Sequence, residues 1–104
     1  MSYVDCRRIQ SFVDSVERKK NFKRDPGLIM RHLFEEAGEC SRALWLLESF
    51  SPSGLKVCRK YAVASELVDI ISLCVYLADV VGVDLNETFP KRFKEIAKQY
   101  KVKF

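Results

Sequence analysis

Histidine occurs once in this chain of 104 residues, at His32, and none of the four cysteines, Cys6, Cys40, Cys58 and Cys74, stands in a Cys-x-x-Cys spacing. A zinc site draws on several nitrogen or sulfur ligands, so this inventory argues against one. A di-iron bundle needs two Glu-x-x-His motifs and two further glutamates, which a single histidine with no Glu-x-x before it cannot supply. Long apolar runs are missing too. The longest, Leu67 to Val83, is broken by Asp69 and Asp79, and a membrane span takes about 20 apolar residues. Met1 to Gln10 carry Asp5, Arg7 and Arg8 and do not read as a signal peptide. A soluble, cytoplasmic protein with no membrane partner is expected. Neither an internal repeat nor a low-complexity segment is present, and the length fits a single domain over residues 1–104 with a real core. Cys40 and Cys74 fall in apolar helical patterns and are expected as small buried hydrophobes.

What is present is mostly helical periodicity. From Tyr3 to Lys20, Val4, Ile9, Phe12, Val13 and Val16 lie near one stripe, with Arg7, Arg8, Asp14, Glu17 and Arg18 largely elsewhere, as in an amphipathic helix. Asp25-Pro26 has the order of an N-cap followed by proline at the first helical position. A second helix is predicted from there, with Leu28, Ile29, Leu33, Phe34, Ala37, Cys40, Leu44 and Leu47 at helical spacing, ending near Phe50. Ser51-Pro52-Ser53-Gly54 reads as a turn, because proline fixes φ and glycine tolerates positive values. A third helix is predicted to begin between Leu55 and Tyr61 and to reach Val81, stopping at Gly82. It is apolar on nearly all sides, the mark of a helix buried centrally or at a subunit interface. Asp84 to Glu87 resembles a capping box, and Pro90 implies either a turn and then a helix to Tyr100, or one kinked helix. The fold class is all-α, a four-helix bundle-like subunit in which short connections favour antiparallel neighbours.

The chain carries a formal net charge of +4, with bases clustered in Arg18–Arg24 and Lys91–Lys103. Such clusters are solvated helix ends in the ordinary case, and anion-attracting surfaces in the functional one. The acids are more informative. Glu36 and Glu39, preceded by Glu35, lie one turn apart within the second helix, and Glu66 and Asp69 repeat that spacing in the third. Isolated acids on a helix are usually a solvated face, and Glu66 and Asp69 could pair with Arg31, Arg42 or Arg59. Ala37 and Gly38, between Glu36 and Glu39, are small enough to let another helix approach. Four carboxylates brought together repel one another unless a proton or a cation joins them. An all-oxygen set is hard-ligand chemistry that suits Mg²⁺, or Mn²⁺, and magnesium commonly shares its shell with substrate phosphates.

Glu35-Glu36-Ala37-Gly38-Glu39 and Glu66-Leu67-Val68-Asp69, the latter leading into an apolar helix that closes Val81-Gly82-Val83-Asp84-Leu85, resemble the MazG-like all-α nucleoside triphosphate pyrophosphohydrolases. The resemblance spans about Leu28 to Tyr100. It implies Mg²⁺-dependent hydrolysis of a nucleoside triphosphate, canonical or modified, to the monophosphate and pyrophosphate. By position Glu36, Glu39, Glu66 and Asp69 match the family's metal ligands, and Glu35 matches an acid that would orient or deprotonate the water. A homodimer or homotetramer, with helices of two subunits building each site, is implied as well. In the last helix, where that family often has a lysine and an asparagine four residues later, this chain has Arg92 and Ile96. Arginine still binds phosphate, bidentately in good geometry. Arg92, Lys91, Arg59 and His32 are the candidate substrate contacts. Phe34, Trp45 and Tyr61 could stack on a base but are expected in the core or between subunits. The alternative is a non-catalytic helical oligomer binding nucleotide or nucleic acid through its basic C-terminal segment, for which salt-sensitive, Mg²⁺-independent binding is the signature.

Overall fold

A computed structural model describes residues 4–49 and 53–104. Four helices follow one another, α1 over Cys6–Lys19, α2 over Pro26–Glu48, α3 over Ser53–Val81 and α4 over Leu85–Tyr100, and there is no strand among the described residues. The all-α expectation holds. Each well-defined start has a local cause. The Asp5 carboxylate accepts from the Arg8 amide at 2.9 Å, Asp25 from those of Gly27 and Leu28 at 2.8 and 3.3 Å, and Asp84 from that of Asn86 at 2.9 Å. These caps satisfy donors that the first turn of a helix leaves without a carbonyl. Gly82, at φ +80°, supplies the left-handed residue on which α3 ends.

Two boundaries depart from expectation. The Asp5 cap starts α1 at Cys6, later than the expected Tyr3, which lies outside the described residues. The predicted turn at Ser51-Pro52 also lies outside them, whereas Ser53 and Gly54 belong to the first turn of α3, which starts before Leu55. At Pro90, of the two alternatives, the single helix is the one found, with Pro90 inside an uninterrupted α4. Its missing amide removes one backbone bond, and the rest of the helix holds the turn together.

The most extensive packing is between α2 and α3; α1 lies against α3, and α4 touches α1 lightly. The core is Val13, Ile29, Leu73 and Tyr76, with Ile9, Phe22, Leu33, Leu77 and Val80 around it. Arg24, just before α2, ties the elements together by donating to Asp14 at 2.8 Å and Asp79 at 3.1 Å, with its guanidinium 5.6 Å from the Tyr76 ring centroid.

This core is small, and the expected burial is not all realised within one chain. In α3 only the stretch around Leu73 to Ala78 is well buried, while Leu67, Val68, Ile71 and Cys74 are exposed. A 29-residue helix is longer than the partners beside it can cover. Cys74 is thus not a buried hydrophobe, and Cys40 is only half-buried. Phe34, Trp45 and Tyr61 stand 68%, 67% and 75% exposed, outside the core. The radius of gyration is 16.6 Å, against about 13 Å for a compact chain of roughly this length. No helix among the described residues is long and apolar enough to cross a membrane.

Candidate functional site

Helices α2 and α3 lie side by side, and their acids meet between them. Glu36 and Glu39, one turn apart on α2, face Glu66 of α3, so that one carboxylate oxygen from each lies within 4.8 Å of the other two. Asp69, one turn beyond Glu66, lines the same cavity as Glu36. It is exposed and stands outside the tight trio, in contrast to the buried place expected for it. Ala37 and Gly38 do not mediate the approach of the helices. Both are exposed, and a Cβ added at Gly38 would meet nothing within 4 Å.

The cavity holds about 240 Å³ and is lined by Phe12, Val13, Val16 and Glu17 of α1 and Lys20 that caps it, with His32 and Glu36 of α2 and Asp69, Ser72 and Leu73 of α3. Its electrostatics centre on Glu36. Burial first, then the hydrogen bond to Glu66, then the negative charges of Glu39, Glu66 and Asp69, push the Glu36 carboxyl up from 4.5 to about 7. Glu36 Oε2 and Glu66 Oε2 are both buried without a hydrogen-bond partner. Two carboxylates so placed have only two comfortable states, one with a shared proton and one with a cation between them.

His32 stands one turn before Glu36, with its Nε2 3.4 Å from Glu36 Oε1 and its ring 5.8 Å from that of Phe22. Its Nδ1 is buried and has no partner. Glu35 is turned to an adjoining hollow with Phe22, Leu28 and Arg31, which shares His32 with the main cavity. Arg59 does not line the cavity; it donates to the Leu46 carbonyl at 2.7 Å and so fastens α3 to α2. Lys91 and Arg92 are exposed on α4 and do not line it either, and Arg92 pairs with Glu95 at 2.9 Å. Among the described residues no ion pair joins Glu66 or Asp69 to Arg31 or Arg42.

Glu17 escapes the sequence reading. Expected away from the apolar stripe of α1, it is instead only 6% exposed and lines the same cavity as Glu36 and Asp69. Its Oε1 lies 3.7 Å from Lys20 Nζ, while its Oε2 is buried without a hydrogen bond. The signal for it is spacing. Glu17 follows Val13 by four residues, which sets it on the buried face.

No family model, curated protein or solved structure matches the chain.

Proposed function

We propose that this chain is a Mg²⁺-dependent nucleoside triphosphate pyrophosphohydrolase of the MazG-like kind, with Mn²⁺ able to replace Mg²⁺. One observation carries the reading. Glu36, Glu39 and Glu66 offer oxygens within 4.8 Å of one another, and those of Glu36 and Glu66 include buried atoms with no partner. The donor set fits a hard divalent ion, since it is all oxygen, converges from two helices and keeps buried oxygens on Glu36 and Glu66 unsatisfied even with His32 Nε2 3.4 Å from Glu36 Oε1. Glu39 is exposed, which leaves the cluster open to water and phosphate.

Glu36, Glu39, Glu66 and Asp69 would hold the ion. Bound there, it would supply charge for the phosphate oxygens and acidify water. The attacking water oxygen bonds to the α-phosphorus as the bridging bond to the β-phosphate breaks, and the electron pair leaves on pyrophosphate. The water's proton passes to a carboxylate. The resemblance gives that role to Glu35, which would act from the hollow beside His32.

The assembly is part of the proposal. Lys91 and Arg92 are too detached from the cavity to serve it within one chain, and a second copy in a homodimer or homotetramer would bring α4 over the site. The exposed apolar side chains of α3 support this, as does the hollow of about 510 Å³ between Phe93, Tyr100 and Phe104.

The test is product analysis over a panel of canonical and modified nucleoside triphosphates with Mg²⁺ or Mn²⁺. Monophosphate and pyrophosphate should form in equal amounts, and chelator, Glu39→Gln or Asp69→Asn should reduce the rate by about 100-fold or more. No product from any triphosphate with either metal would end the hydrolase reading.

A further inference from the structure

We infer that Glu17 is a specificity-determining residue that accepts a hydrogen bond from the exocyclic amino group of a nucleobase, so that the cavity favours amino-bearing bases over thymine and uracil. This rests on the nucleotide reading above. It starts, however, from an observation that the hydrolytic chemistry leaves unused. Glu17, 6% exposed, is the one charged residue that is buried among the described residues. An acid in that position is costly to desolvate unless something answers it. Lys20 answers weakly: its Nζ is 3.7 Å from Oε1, beyond hydrogen-bond length, and its side chain is mostly exposed. Oε2 has nothing.

The unmet oxygen narrows what can occupy the cavity beside it. Glu17 is not one of the three residues whose oxygens lie within 4.8 Å of one another, so it does not extend the cation cluster. A phosphate is excluded by like charge. Among the parts of a nucleotide, what remains is a neutral group that donates. Phe12, Val13, Val16 and Leu73 give the cavity an apolar part beside the polar side chains of Lys20, His32, Asp69 and Ser72, which suits a donor carried on the edge of a flat ring. A nucleobase has that form.

An ionised carboxylate only accepts. Cytosine, adenine and guanine each present an amino group on an edge. Thymine and uracil present one ring N–H between two carbonyl oxygens, and those oxygens would face the carboxylate unfavourably. A site built around a buried acceptor rejects a base that leaves it unmet, because the acceptor then stays desolvated and unpaired.

The test is equilibrium binding of 2′-deoxynucleoside monophosphates to the full chain in Mg²⁺ by calorimetry, with pyrophosphate release from the matching triphosphates followed in parallel. At least one of dCMP, dAMP and dGMP should bind about 10-fold or more tighter than dTMP and dUMP. Glu17→Gln, whose amide can also donate to a carbonyl, should collapse that preference and tighten dTMP or dUMP. Glu17→Leu, a second variant in case the amide is not tolerated, should lose the preference without that gain. Equal binding of all five by the wild-type protein, or no binding, overturns the inference. So does a Gln variant that keeps the wild-type order, or one that changes the ratio of CMP to dCMP and leaves the bases alone, since Glu17 would then touch the sugar. A base preference without any hydrolysis would sink the hydrolase reading alone, while hydrolysis indifferent to the base would sink this inference alone.

Discussion

Glu36 is where burial and charge meet most sharply, and its behaviour with pH follows from its surroundings. A carboxyl with a raised folded pKa holds its proton more tightly folded than unfolded. The stability this contributes is present at acid pH and is lost as pH rises from 4.5 to about 7. Metal-free protein should therefore melt at a lower temperature at pH 7.5 than at pH 5, a trend that Glu36→Gln should flatten; scanning calorimetry in chelator reads it directly. An unchanged slope in the variant would place the titration elsewhere. Glu36, Glu39 and Glu66 were legible as a set because helical spacing fixes each local pair, and only their meeting needed the fold. Glu17 was hidden because a charged residue on an amphipathic helix is ordinarily assigned to water, and the four-residue step from Val13 carries the opposite message.

The helices themselves were largely legible, and where they were not, the reason is physical. Asp25-Pro26 and Gly82 mark ends through fixed dihedrals and unpaired amides, which a sequence displays openly. The start of α3 was misplaced because serine and glycine suit a turn and a first helical turn alike, and Pro90 left a turn and a single helix both open because a helix can lose one bond and still propagate. The caps are expected to matter most on α2, which presents two of the three clustered acids. Asp25→Ala removes the acceptor for the Gly27 and Leu28 amides and should cost ~1 kcal/mol, measured as a lower urea midpoint with unchanged slope. A loss well under that figure would mean that Pro26 and packing start the helix without the cap.

Taken whole, the chain buries little and bares much. Val68 and Ile71 of α3 are exposed beside the acid cluster's helix, and Trp45 and Tyr61 stand out from α2 and α3. The sequence signalled this as a helix apolar all round, yet could not say whether the cover comes from the same chain or another. Light scattering should give a mass at least twice the 12.1 kDa of one chain, and Ile71→Lys should lower it; a monomer in the wild-type protein would remove the assembly from the proposal. The proposed hydrolysis presupposes a cation between α2 and α3, so the most direct measurement is Mn²⁺ binding followed by electron paramagnetic resonance. Wild-type protein should take up Mn²⁺ saturably, more tightly at pH 8 than at pH 6 because Glu36 must shed its proton, and Glu36→Gln and Glu66→Gln should each weaken it by about 10-fold or more. Binding that is weak, unsaturable and indifferent to both substitutions would contradict it.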